Sequence, residues 1–199
     1  MLRILFVVLI ASATTFFASA AGHAADSLYS KLDFDKHCTF EKPASEEEEG
    51  MGASGVCRIP DFPEIHFAEG DLRHSAGFGA PKQFESFAQF NSMNNTIEWR
   101  FGSDGVAYAA IVRFFIENIN PATGAVDPKR KGQVLVIHRV ASGGDKNTCV
   151  VGMVDARANE NANQLARDVA DGDAAIFQCG VDKAKYHGRV GKFAGTPSF

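Results

Sequence analysis

The segment from Thr96 to Ile116, TIEWRFGSDGVAYAAIVRFFI, constrains the fold of this 199-residue chain more than any other. Gly102-Ser103-Asp104-Gly105 in its middle is a turn sequence, and apolar residues recur at every second position on either side of it. That is the period by which successive side chains of a strand point to opposite faces. Ile97, Trp99 and Phe101 form one row, and Val106, Tyr108, Ala110, Val112, Phe114 and Ile116 form the other. A hairpin closed by a two- or a four-residue turn pairs residues whose numbers sum to an odd value, so both rows fall on one side of the sheet. The opposite side carries Glu98, Arg100, Ala107, Ala109, Ile111, Arg113 and Phe115, charges mixed with small side chains.

Gln133 to Ala141 is apolar on both faces through Ile137, which marks an interior strand, and Thr148 to Ala156 reads as the next, completing an antiparallel meander. Val56–Ile59, Ile65–Ala68 and Leu72–Phe78 are shorter extended runs separated by turn sequences. Phe84, Phe87 and Phe90, three apart, predict a helical turn packing aromatics inward. A helix is expected from Asn159 or Asn161, with Gln164 three residues after Asn161 and Gly180 as its stop. Its apolar stripe is Ala162, Leu165, Ala166, Val169, Ile176 and Phe177, broken by Asp173. The expected fold class is therefore α+β: an antiparallel sheet of about six strands with the C-terminal helix across the apolar face of the hairpin.

The chain opens with Met1-Leu2-Arg3, an apolar run to Phe17 and the small triplet Ala18-Ser19-Ala20, the order of features of a secretory signal peptide. Ala11 to Thr15 dilutes the run too much for a membrane anchor. Residues 1–20 are thus expected to be removed, with cleavage between Ala20 and Ala25. Residues 21–180 would form a single domain, and 181–199, rich in Gly and Lys without periodicity, a loosely held tail. Losing Arg3 takes the formal net charge from −4 to −5, which argues against a nucleic-acid partner. Four cysteines in an exported chain predict two disulfides. Pairing chain neighbours joins Cys38 to Cys57 and Cys149 to Cys179, and the absence of a C-x-x-C disfavours a redox or zinc site. Lys42 to Gly55, with Glu46 to Glu49, and Glu117 to Gly132, with the basic run Lys129-Arg130-Lys131, are expected as mobile loops.

No nucleophile elbow, zincin, P-loop, dinucleotide or EF-hand motif occurs, so no catalytic residue and no cofactor is expected. Asp33 with Asp35, and Glu69 with Asp71, are acid pairs of the kind common in turns. On the mixed face of the hairpin, Arg100 and Arg113 beside alanines, with Glu98 next to them, would rim a shallow depression suited to a carboxylate, a phosphate or an acidic partner segment. The alternative is a solvated face of Glu–Arg cross-strand pairs. His66 and His74 flank the Glu69-Gly70-Asp71 turn and would stand opposite each other, as weak metal-ligand candidates, if Ala68 paired with Leu72.

YSKLD, EGDLR, IEWR, QVLV and ANQLARDVAD together resemble a family of small uncharacterised proteins exported by alphaproteobacteria. The resemblance implies a periplasmic location and a cysteine-bridged α+β domain, and it carries no catalytic residue because that family has no assigned activity. The expected role is non-catalytic: a periplasmic protein binding a small anion or another envelope protein, without stable membrane insertion. A periplasmic hydrolase acting on an envelope substrate and a lysozyme-inhibitor-like protein are the alternatives.

Overall fold

The computed structural model describes residues 26–42, 50, 52–80, 83–142, 144 and 147–199. The expected signal peptide and the run Glu46 to Glu49 lie outside the described residues. In chain order the elements are β1 (Asp26–Lys31), α1 (Phe34–His37), β2 (Cys38–Phe40), β3 (Gly52–Cys57), β4 (Ile65–Gly70), β5 (Arg73–Gly77), β6 (Asn91–Phe101), β7 (Ala107–Ile116), β8 (Gly132–Arg139), β9 (Cys149–Asp155), α2 (Ala162–Asp173) and β10 (Lys185–His187). A large sheet has the order β1-β6-β7-β8-β9-β10, antiparallel except for the β9–β10 pair, and a small antiparallel sheet has the order β2-β3-β4-β5. No described helix is long and apolar enough to cross a membrane.

The β6–β7 hairpin has the expected parity where it matters, with Ile97 opposite Val112 and Trp99 opposite Ala110. Its turn end is bulged: Arg100 faces Ala109 but Phe101 faces Ala107, leaving Tyr108 as the extra residue. The bulge exchanges the two neighbours, so Ala107 enters the core of the apolar face and Tyr108 packs on the other side. Trp99 is fully buried, stacked on Phe62 and edge-on to Phe78 at 5.3 and 5.2 Å, and its indole N–H is satisfied by Ser30 Oγ at 2.8 Å.

The apolar face of the hairpin is not where the helix lies. Ile65, Phe67, Ala76 and Phe78 of the small sheet and its flank pack into the same cluster as Ile97, Trp99, Val112 and Phe114, so that face is already covered. Helix α2 takes the opposite face, where Ala109, Ile111, Leu135, Ile137, Val151 and Val154 make a floor for Ala162, Ala166, Val169 and Ala170. This corrects the expected placement, and it explains why β8 and β9 are apolar on both sides: the large sheet is the middle of three layers. Three of the four helix residues in this contact are alanine, which lets the helix approach closely. The helix ends at Asp173, which leaves Ile176, expected in the stripe, 75% exposed.

Both expected disulfides are present. Cys38 and Cys57 are directly opposed in the β2–β3 ladder, and Cys149–Cys179 ties the segment after α2 to β9. Three other expectations change. Residues 84–90 are not a helical turn: Phe87 is buried against Phe114, Phe84 is exposed and Phe90 lies under the Arg73 guanidinium. That backbone bonds across to the C-terminal segment instead, Ala88 N–H to Thr196 O and Ser198 N–H to Ser86 O. The 117–132 connection folds on itself, with a bridge between Ile119 and Val126 and a short 3-10 turn over Pro128–Arg130. Residues 181–199 supply β10, and Tyr186 Oη donates to the carbonyls of Ala194 and Gly195 at 2.7 and 3.0 Å. Gly132 is required here, because a Cβ at that position would lie 1.9 Å from the Phe193 carbonyl oxygen.

Candidate functional site

The mixed face of the hairpin meets the helix through charge. Arg167 and Asp171 are four residues apart on α2 and so share a face. Arg100 grips Asp171 with both edges of the carboxylate, Nε to Oδ1 at 2.8 Å and Nη2 to Oδ2 at 2.7 Å, and its Nη1 donates to Ser27 Oγ. The displaced Tyr108 donates its hydroxyl to Asp171 Oδ1 at 2.6 Å. Burial by itself would raise the Asp171 carboxyl, but the Arg100 and Tyr108 hydrogen bonds hold it below its ordinary value. The Tyr108 phenol is pushed up to about 12 by burial and by the same carboxylate. Next to this pair, Arg167 Nε donates to Glu98 Oε1 at 2.6 Å, Ser27 Oγ donates to the same oxygen at 2.6 Å, and Arg167 Nη2 reaches Tyr29 Oη at 3.1 Å.

Arg100 therefore does not rim an open depression. It has only 6% of its side chain exposed and is engaged by Asp171 and Ser27, so it is withdrawn from the expected anion site; Glu98 lines a cleft but is paired with Arg167, and both residues act as ties between β1, β6 and α2. Arg113 behaves differently. It points to the same side from β7, where its Nη1 donates to Gln133 Oε1 at 3.0 Å and its Nη2 to Asn163 Oδ1 at 3.2 Å. Among the described residues these neutral amides are its hydrogen-bonding partners, and no carboxylate pairs with it. Burial lowers its pKa, the mark of a cation short of compensation. Arg113 lines a cleft of about 140 Å³ together with Tyr29, Asn94, Thr96, Glu98, Asn163 and Arg167. Three larger hollows among the described residues have weaker chemistry; the smallest of them, of about 220 Å³, sets Arg157 and Lys192 beside the buried Asp155. Another, of about 310 Å³ over β3 and β4, has no Lys or Arg among the described residues of its lining. The third, of about 650 Å³ beside α1, sets Lys31 against Asp33 and Asp35.

The histidine pair does not form. The β4–β5 turn has two residues, Asp71 and Leu72, so Gly70 pairs with Arg73, His66 stands opposite Gly77 and His74 opposite Glu69. Positions 66 and 69 lie on opposite faces of β4, which separates the two imidazoles. His66 Nε2 is 2.9 Å from Glu64 Oε1, while His74 sits edge-on to Phe67 and its Nδ1 accepts the Met93 amide at 3.3 Å. Among the described residues no group of three His, Cys, Asp or Glu is placed to hold a metal.

Two buried ionisable groups were not anticipated. His138 is fully buried against Phe78 at 5.0 Å with neither ring nitrogen bonded, and burial pushes its pKa down to about 3. Glu85 is buried with Oε2 accepting the Val150 amide at 2.8 Å, and burial raises its pKa. The signal for His138 was present, since it continues the alternation of Val134 and Val136 toward the small sheet. No protein-family model, curated protein or solved structure matches the chain.

Proposed function

We propose that the protein is a non-catalytic binding protein of the periplasm that takes a small anion, or the anionic group of an envelope partner, on Arg113. The observation that carries this reading is a half-buried guanidinium held by two neutral amides at a cleft wall. Gln133 and Asn163 fix the fork's direction without neutralising it, so a carboxylate or phosphate entering the cleft meets pre-oriented donors in partly desolvated surroundings. Tyr29 Oη, Asn94, Thr96 and the Asn163 amide offer further hydrogen-bonding groups, and Arg167 adds a second cation whose charge is shared with Glu98. Two disulfides and the signal-like N-terminus support an oxidising, exported setting.

The test is titration calorimetry of the processed protein with acetate, phosphate, sulfate and a free amino acid. For the anion that binds, Arg113→Ala should weaken affinity about 10- to 100-fold, the loss of a charge-assisted contact. Arg113→Lys, which keeps the charge and loses the fork, should fall between. Unaltered affinity in Arg113→Ala, or no binding of any of these anions, refutes the reading.

A further inference from the structure

The end of the large sheet where β7 leaves and β8 begins gathers cations and exposed aliphatic residues. Residues 117–131, 155–160 and 189–193 are joined there by side chains. Asn118 Nδ2 donates to the carbonyls of Arg130 and Phe193 at 3.0 and 3.2 Å, Arg157 donates to the Lys131 carbonyl, and Asn159 bonds the Arg189 backbone in both directions at 2.8 and 2.9 Å. These segments hold six Lys and Arg against four Asp and Glu in a chain of net charge −4. Three of the acids are already engaged. Asp155 is buried and accepts the amides of Arg157, Ala158 and Gly191, Asp127 caps the 3-10 turn, and Glu117 pairs with Lys131 at 2.6 Å.

Lys129, Arg130, Arg189 and Lys192, by contrast, have no carboxylate within ion-pair distance among the described residues. Arg130 and Lys192 stand 5.0 and 4.9 Å from the Phe193 ring, which restrains both heads. On the same end Ile119, Val126 and Val190 are 50%, 46% and 52% exposed, the first two paired across their loop. A lone exposed aliphatic is ordinary. Three of them set among four uncompensated cations are the two components of adhesion to a charged interface: apolar area that enters the headgroup boundary, and cations that lie against phosphates.

We propose that this end of the protein docks peripherally on an anionic lipid surface. A soluble polyanion would use the cations and leave the aliphatic side chains without a role, whereas a bilayer rewards both. The site is separate from the Arg113 cleft and does not depend on that cleft's being a ligand site.

The experiment is co-sedimentation of the processed protein with vesicles of phosphatidylcholine alone and of phosphatidylcholine containing phosphatidylglycerol, at low and at physiological ionic strength. Binding is expected only to the anionic vesicles and should weaken with salt. Lys129→Ser and Lys192→Ser should each weaken it about fivefold, and Ile119→Ser with Val126→Ser at least tenfold. Val190→Ser is the second apolar variant, at a site away from the loop, and circular dichroism checks that each variant is folded. Equal binding to neutral vesicles, or no binding to anionic ones, overturns the proposal. So does full vesicle affinity in the folded apolar variants with loss only in the lysine variants, which would assign this end to a soluble polyanion. Arg113→Ala should leave vesicle binding unchanged, so the two readings fail separately.

Discussion

The Arg100–Asp171 pair yields an asymmetric prediction. Arg100 has 6% of its side chain exposed and Asp171 has 36%, so the two partners differ in what happens when the other is removed. In Asp171→Ala the guanidinium stays under the helix with only Ser27 to receive it, and an uncompensated buried charge costs about 3–5 kcal/mol. The loss of the Tyr108 hydroxyl's acceptor adds to this. In Arg100→Met the stem's volume is kept and the stranded carboxylate can turn to water, so the cost should be about 1–2 kcal/mol, nearer that of an ordinary hydrogen bond. The assay is urea unfolding followed by circular dichroism under oxidising conditions, comparing midpoints at constant m. In a domain of this size the two variants should melt lower by about 6–20 °C and about 2–8 °C respectively. A cost for Asp171→Ala no larger than that for Arg100→Met, or below about 0.5 kcal/mol for both, would mean the pair is solvated and the structural reading of Arg100 is wrong.

His138 makes stability fall with acid. Its pKa is about 3 in the folded state and about 6.5 unfolded, so the unfolded chain binds the extra proton between those values. The stabilisation is complete above pH 6.5 and is lost as pH falls toward 3, amounting to about 2 kcal/mol at pH 5. Glu85, raised by burial, acts in the opposite sense: its contribution is full below its unfolded value near 4.5 and is lost as pH rises through its folded one. Urea midpoints measured from pH 7 to pH 4 should show a slope that His138→Leu flattens, and an unchanged slope in that variant would remove the histidine from the account. Leu72 holds φ at 58° in the β4–β5 turn with 64% of its surface exposed, a conformation that costs a residue with a Cβ about 1–2 kcal/mol. Leu72→Gly should therefore be neutral or stabilising by up to about 1 kcal/mol, and a lower urea midpoint would show that the side chain contributes packing the geometry does not reveal.

Local alternation was enough to place the β6–β7 rows as far as the bulge, where Tyr108 changes sides and Val106 is left exposed, the interior character of β8 and the start of the helix though not its end, and neighbour pairing of cysteines matched the disulfides. The occupant of each sheet face was not legible. Parity says which residues share a side, and nothing in it tells whether a helix or a second sheet covers that side. The runs that form β3, β4 and β5 were legible as short strands, but at five or six residues each they do not announce a sheet of their own, and β10 was missed because its three residues lie in a Gly- and Lys-rich stretch. Nothing in the helix's own sequence singles out Arg167 and Asp171, whose partners are 69 and 71 residues away. Arg100 and Arg113 look equivalent on one strand face, and only the helix's position separates the arginine it neutralises through Asp171 from the one it meets through a neutral amide, Asn163.

The short parallel strand β10 bears on how the chain reaches this state. Its ladder partner β9 is buried at all seven positions from Cys149 to Asp155, and among the described residues β10 is what closes that edge of the sheet. The other edge, β1, pairs with residues some seventy positions later, Asp26 opposite Phe101. Both borders of the large sheet thus depend on pairing late in synthesis or across long sequence separation, which slows folding because loop-closure entropy is lost before the contacts form. Until residues 185–187 dock, β9 presents an apolar and unpaired margin, the kind of template on which chains add to one another. Residues 185–187 thus act as a cap against misassembly whose value lies in the interval before folding is complete.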